Sequence, residues 1–292
     1  GIYTGDPERL SIAATMPRFC ELEARHRSLI LGLRTRPAEA RGVAGARYGL
    51  FVSHHEGMGA LTDALAARIP ERAIRLRTAV LGMEHTAGVW RVRAGGEPIL
   101  ADAVILACPA HAAATILRPL DDALATALAA IEHASSAIVT LGIRTSDLSR
   151  PLPGFGFVVP AADGRDILAA TFSSRKWPGR APEGHELVRV FVGGVRRADL
   201  LARDDAALVA LARAELAHFI GYRGEPLFAR VDRWMQAMPQ YTLGHLDRVA
   251  TIEAQAARLP RVALAGNAYR GVGIPDCVRS GETAADAVLA AR

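Results

Sequence analysis

The sequence is poor in cysteine. Its three thiols, Cys20, Cys108 and Cys277, stand alone. None belongs to a C-x-x-C pair or lies at ligand spacing from a histidine. That removes disulfide frameworks and zinc knuckles, and it fits a reducing, cytoplasmic setting. Long apolar runs are missing too. Charges or proline break each candidate short of the roughly eighteen residues that cross a bilayer as a helix. No secretory signal is visible, although an amphipathic helix would suffice for peripheral membrane contact. Basic residues form no run: the net charge is +5 and the arginines are scattered, so no nucleic-acid partner is expected. The same arginines would suit an acidic small molecule. No G-x-S-x-G turn occurs, and the histidines stand apart. His54-His55-Glu56 invites a metal reading, but neighbours on a strand point to opposite faces and no third ligand lies at suitable spacing, so no metal is expected. His245 is the most tempting acid or base, yet a structural hydrogen bond is the ordinary task of a lone histidine, and no catalytic side chain is assigned. There is no internal repeat. There is no initiator Met either: the chain opens GIYTGDPERLS, in what reads as an ordinary folded segment, and a truncated protein is expected.

What is present is apolar. With 292 residues and 50% of them hydrophobic, the chain can bury one large core or two moderate ones. The stretch with most chemical content is VALAGNAYRGVGIPDCVRSG at 262–281. Val262–Ala265 has the apolar character of a buried strand, and Gly266 ends it. Gly271 and Gly273 then offer backbone without side chains, against which a flat ligand could lie. Pro275 and Asp276 open a helix that continues through Ala284, Ala285 and Val288. Free N–H groups and the positive helix end at such a point favour a ligand that carries or develops negative charge. A Gly-rich strand-to-helix turn also arises wherever an α/β chain must reverse, so the pattern alone leaves both readings open.

Along the rest of the chain, Asp6 and Pro7 suit the start of a short helix. Phe19, Leu22, Leu29, Ile30 and Leu33 predict an amphipathic helix with a core-facing side, and Thr35–Arg47 a loop. Gly57-Met58-Gly59 leads into a helix with a Leu61, Leu65, Ile69 stripe. Strands are expected at Ala73–Leu81, Val89–Val92 and Ala103–Ala107, the last as a buried parallel or central strand. HAAATIL and Asp121–Ile131 read as helices. Four strands, at about 134–143, 154–160, 166–172 and 187–193, suggest an antiparallel sheet. Asp204–Gly221 is a helix, Leu227–Met235 a strand, and Gly244–Leu259 a helix. The fold class is therefore α/β in the broad sense, of α+β type.

Three runs, GNAYRGVGIPDC at 266–277, MPQYTLGHL at 238–246 and SSRKWPGRAP at 173–182, occur in this order and together resemble the oxygen-dependent protoporphyrinogen and coproporphyrinogen III oxidases. These are flavoenzymes of the amine-oxidase-like type, and the GGM-like element at 57–59 is similar to one found across that wider group. The resemblance runs through essentially all of the chain. It implies an incomplete FAD-binding domain with an inserted substrate domain: residues 1–52 and 110–240 on the substrate side, 53–109 and 241–292 on the flavin side. It implies FAD as cofactor, held by Asn267 and the backbone of Val272, Gly273 and Ile274, with Val80 at the adenine end. Gly154–Val158 and Ala170–Pro178 match segments that line the substrate cavity, which puts Val158 and Trp177 on its wall. The implied reaction removes six electrons from a porphyrinogen in three hydride transfers with O2 as acceptor, coproporphyrinogen III being preferred to protoporphyrinogen IX. A flavin accepts the hydride itself, so the absence of a triad is no objection. One departure stands out. The family's N-terminal G-x-G-x-x-G unit, which binds the ADP half of FAD, is not in these residues. The chain alone is thus expected to bind FAD weakly or not at all. An amine oxidase, a carotenoid-type desaturase, or a non-catalytic fragment that works with a separate N-terminal partner are the alternatives.

Overall fold

The computed structural model describes residues 3–34 and 52–290; the loop expected at 35–47 lies outside them. The chain divides into two compact units, Gly1–Leu10 with Glu132–Gln240 and Ser11–Ile131 with Tyr241–Arg292. In chain order come helices α1 (Ile12–Thr15), α2 (Pro17–His26), α3 (Leu29–Arg34) and α4 (Gly59–Ala66). Strands β1 (Gly82–Thr86), β2 (Val89–Arg93), β3 (Ile99–Ala101) and β4 (Val104–Leu106) follow, then helices α5 (Ala110–Leu117) and α6 (Asp122–Ala129). The other unit supplies β5 (His133–Arg144), β6 (Gly156–Val158), β7 (Ile167–Phe172), α7 (Ser173–Lys176), β8 (His185–Gly193), α8 (Asp205–Ile220) and β9 (Phe228–Pro239). The chain closes with α9 (His245–Ala256), β10 (Val262–Leu264) and α10 (Ile274–Ala290).

The unit built on β5–β9 is an antiparallel sheet in the order β6-β7-β8-β5-β9. Alternation decides its faces. Phe157, Ala170, Val190, Val139 and Val231 stand opposite one another across the strands and point into one core, where α8 covers them with Leu208, Ala212 and Leu216. Helix α8 starts where the Asp204 carboxylate accepts from the Ala207 N–H at 2.8 Å and stops at Gly221, whose φ of 66° suits a left-handed cap.

The other unit holds the mixed element of the fold. Strands β4 and β10 pair in parallel, Val104 opposite Val262 and Leu106 opposite Leu264, while β1-β2-β3 form a separate antiparallel sheet. Leu117, Leu124 and Leu128 of α5 and α6 pack with Val249 and Ile252 of α9 and with Trp90, whose Nε1–H donates to the Pro260 carbonyl at 2.8 Å.

Several sequence expectations need correction. Residues 73–81 form no strand: a short 3-10 turn at Glu71–Ala73 leads into open chain, with Leu76 and Leu81 exposed. Their apolar-and-arginine alternation imitates a half-buried strand, but among the described residues only the Leu81 N–H reaches a neighbouring strand, at the Arg93 carbonyl 2.7 Å away. The strand forms instead at β1, turned into β2 by Ala87 and Gly88, both at positive φ (52° and 81°), as a tight hairpin needs. The single helix expected over Phe19–Leu33 is broken, because Pro17 starts α2 and Arg27 at φ 53° ends it. Its apolar side is not in a core: Phe19, Ile30 and Leu33 are exposed. Asp6 and Pro7 do not cap a helix either. They make a turn closed by the Arg9 N–H on the Asp6 carbonyl at 3.0 Å, and α1 begins later, with Ser11 as its cap. The Leu61, Leu65, Ile69 stripe around α4 is exposed as well.

Candidate functional site

The loop 265–273 between β10 and α10 is shaped by glycine. Gly271 has φ +147°, and a Cβ there would lie 2.5 Å from Asp276 Cγ, so conformation and space both demand glycine. Gly266, at φ +118°, faces open space, its missing Cβ meeting only the Ala107 carbonyl at 3.9 Å.

Side chains tether this loop. The Tyr241 hydroxyl donates to the Asn267 carbonyl at 2.7 Å and accepts from the Gly271 N–H at 2.8 Å. Gly266 N–H donates to Ser280 Oγ at 3.0 Å. His245, fully buried, stacks on the Tyr241 ring with centroids 3.9 Å apart, and its Nε2 meets the Tyr269 carbonyl at 2.8 Å. A carbonyl only accepts, so Nε2 carries the proton, and Nδ1 is buried with no hydrogen-bond partner among the described residues. Burial holds the imidazole below its ordinary pKa, against the opposing pull of the Tyr269 carbonyl. His245 is thus a neutral structural donor. Burial raises the Tyr269 phenol well above its usual range, and that hydroxyl finds no hydrogen-bond partner among the described residues.

With Gly266 and Gly271 so engaged, the amides of Val272, Gly273 and Ile274 make no hydrogen bond within the described residues. The residues that carry them are not sealed in a core: Val272 and Gly273 are partly exposed and Ile274 is half exposed. Ile274 is the first residue of the 17-residue α10, so its N–H has no acceptor inside the helix. The Asp276 carboxylate packs against Gly271 and Gly273 and offsets part of the positive helix end. Beside the loop lies a cavity of about 380 Å³, lined by Leu264, Tyr269, Arg270, Asp276, Arg279 and Ser280 among others. Its cations are already matched: Arg270 forks onto Glu253 at 2.7 and 2.5 Å, and Arg279 stands 3.7 Å from Asp276. Open amides over a glycine-lined backbone suit a flat ring with acceptors along one edge, and the described residues fit a flavin ring in that sense. Asn267 is partly exposed beside these amides in the chain.

The other residues singled out from sequence are spread apart. Val80 lines a different cavity of about 410 Å³, with Arg72, Ala73, Arg75, Thr78, Ala94 and Ile99. Val158 and Trp177 sit in the other unit and mark opposite ends of the β6-β7 hairpin. Val158 is exposed opposite Ala169, while Trp177 follows the far end of β7 under the Lys176 ammonium, 5.6 Å from its ring centre. His54, His55 and Glu56 lie in a turn and not on a strand; among the described residues, no three His, Cys, Asp or Glu side chains gather as a metal site. Tyr241 and Ser280 were not foreseen as part of the site. Tyr241 lies in a run that was noticed, but its two hydrogen bonds exist only once α9 and the loop are brought together.

Residues 1–289 match the family model of flavin-containing amine oxidoreductases. The chain belongs to that family. Within it, the chain is similar to protoporphyrinogen and coproporphyrinogen oxidases. It is 32% identical to the coproporphyrinogen III oxidase of Bacillus subtilis (strain 168), over 99% of this chain and 62% of that protein. To the protoporphyrinogen oxidase of Homo sapiens it is also 32% identical, over 99% of this chain and 64% of that one. The crystal structure of a protein from Exiguobacterium sp. 255-15 assigned to the protoporphyrinogen oxidases superimposes with a TM-score of 0.84 at 32% identity, covering 99% of this chain and 62% of that one. The chain therefore spans less than two thirds of the length of these relatives. Among its described residues, no helix is long and apolar enough to cross a membrane.

Proposed function

We propose that this chain is the ring-binding and substrate-facing part of a flavin-dependent oxidase that converts coproporphyrinogen III, or protoporphyrinogen IX, to the porphyrin with O2 as acceptor, in a cytoplasmic setting. The observation that carries the proposal is the open row of amides at Val272, Gly273 and Ile274, in a chain of this family. FAD, when bound, supplies the two-electron acceptor that no side chain of the chain provides. The chain's own part is to hold and orient. The three amides and the Asn267 side chain would hold the ring by donating hydrogen bonds to it, and the start of α10 would favour negative charge gathered there. Tyr241, Ser280 and His245 keep the loop in the shape that leaves those amides open. Val80 is assigned to the adenine end of the cofactor, Val158 and Trp177 to the wall met by the tetrapyrrole. Residues 53–109 and 241–292 form the cofactor side in this reading, and residues 1–52 and 110–240 the substrate side.

For these 292 residues alone, the proposal is confined to the ring end of the cofactor and one wall for the substrate; turnover belongs to a protein of the relatives' full length. Oxidation of coproporphyrinogen III and of protoporphyrinogen IX, followed by growth of the porphyrin Soret band in such a protein, tests it. Flavin-dependent conversion of either supports the assignment, and faster conversion of the first would settle the substrate. A flavin-loaded protein inert toward both porphyrinogens but active on an amine would overturn it.

A further inference from the structure

The face of the β5–β9 sheet turned away from α8 has one row of unusual chemistry. Across the strands, Thr171, Arg189 and Thr140 stand side by side, and the next row on the same face is Val158, Ala169, Phe191 and Ile138. Arg189 is only partly exposed, yet among the described residues no carboxylate oxygen lies within 4.0 Å of its guanidinium and no hydrogen-bond acceptor is in reach. Its one close partner is the Phe191 ring, 5.4 Å from Cζ to the centroid. Asp232, the acid on the next row, spends its carboxylate on Arg230 at 2.8 Å. Other shielded arginines of this unit are paired: Arg165 with Glu215 at 2.9 Å, Arg175 with Glu186 at 2.6 Å, Arg197 with Asp166 and Arg233 with Asp205.

A half-desolvated cation without a counter-charge is costly, and the cost is recovered when an anion arrives. Burial already pulls the Arg189 pKa down, with distant Asp232 opposing. The two threonine hydroxyls flanking it are further donors for the same anion. An apolar row lies immediately beside it. Together these suit a carboxylate carried at the edge of a flat apolar framework, held by a planar guanidinium that can meet both carboxylate oxygens.

We propose that Arg189, flanked by Thr140 and Thr171, is a specificity-determining residue that takes one carboxylate of a polycarboxylate tetrapyrrole lying on the Val158 and Phe191 row. This rests on the porphyrinogen reading given above and adds to it the group that recognises the substrate's charge. The test uses two stable probes with the same ring: coproporphyrin III, which carries four carboxylates, and its neutral tetramethyl ester. Each is titrated against the 292-residue chain by Soret shift and fluorescence. Wild type is expected to prefer the acid. Arg189→Leu should lose about ten-fold or more in affinity for the acid, with ester binding and melting temperature unchanged, and Arg189→Lys should recover part of the loss. The affinity of wild type for the acid should also fall more steeply with salt than that of Arg189→Leu. Equal affinity of wild type and Arg189→Leu for the acid overturns the inference, as does an equal loss for both probes, which would mark a packing role. Failure of wild type to bind either probe overturns the porphyrinogen reading itself.

Discussion

The two units solve the problem of stability differently. The β5–β9 unit closes its own sheet and core. Strand β5 is paired along both sides by β8 and β9, and Phe172, Val188, Val190 and Leu208 are wholly buried. The unit that carries the loop has shorter parts. Its parallel pair contributes three residues from each strand, and apolar side chains on α3 and α4 remain exposed. A parallel pair is ordinarily buried on both faces within a larger sheet. The loop proposed to meet the ring therefore sits on thin secondary structure, and side-chain bonds from Tyr241, His245 and Ser280 do the positioning that ladder hydrogen bonds do elsewhere. The lesson is that rigidity at a site can be supplied one tether at a time, and each tether can then be cut without dissolving the scaffold.

The comparison can be broken most forcefully in the well-packed unit. Phe172→Ala empties a fully buried position and should cost about 3–5 kcal/mol, read as a lower denaturant midpoint for the β5–β9 amides in hydrogen exchange. The same change should leave the amide environment of loop 265–273 nearly unaltered. Next in size is Tyr241→Phe, which removes both bonds that join Asn267 to Gly271 and leaves the Gly271 N–H without its acceptor. About 1–3 kcal/mol of local stability should be lost, with faster exchange at the loop amides and little change in β5–β9. If Tyr241→Phe loosened both units alike, the tether account would fail.

The smallest effect is one of pH. The folded pKa of His245 lies below its ordinary value of 6.5, so the unfolded chain binds the proton more readily. Its contribution to stability is complete above that pH and is lost as the pH falls toward the folded pKa. Thermal melting of wild type should weaken by up to about 1.4 kcal/mol per pH unit in that window, and His245→Gln should flatten this slope. An unchanged slope in the variant would assign the titration to another group.

Much of the architecture was legible because local signals agreed with tertiary ones. Asp204 and Gly221 bracket α8 as cap and stop, and the succession of four strands at 134–193 announced an antiparallel sheet. Val262–Ala265 was legible as a strand for its apolar continuity, and the glycines after it for the loop they allow. Other parts were not legible because their outcome depends on partners distant in sequence. Residues 73–81 alternate like a strand, but among the described residues they join no sheet, and only the Leu81 N–H reaches across, to the Arg93 carbonyl at 2.7 Å. Strand β1, GMEHT, has little strand character of its own and exists through its pairing with β2. The amphipathic pattern of α2 and α3 was real as a pattern, yet Pro17 and the left-handed Arg27 cut the helix. Within the site, the open amides followed from glycine and the helix start, while the Tyr241 and Ser280 tethers did not, since neither residue type at that distance announces its acceptor. Arg189 reads in sequence as one charge in an alternating strand, and only the folded sheet shows that no carboxylate among the described residues pairs with it.

The central claim is that the backbone at 272–274 meets the redox ring. The most direct measurement is the shift of assigned amide resonances in the 15N-labelled chain on titration with lumiflavin, which has the ring and no ADP tail. The account predicts that Val272, Gly273 and Ile274 move together and saturably, with the β5–β9 core unmoved. Shifts confined to other regions, or none at these three amides while the ring demonstrably binds, would contradict it.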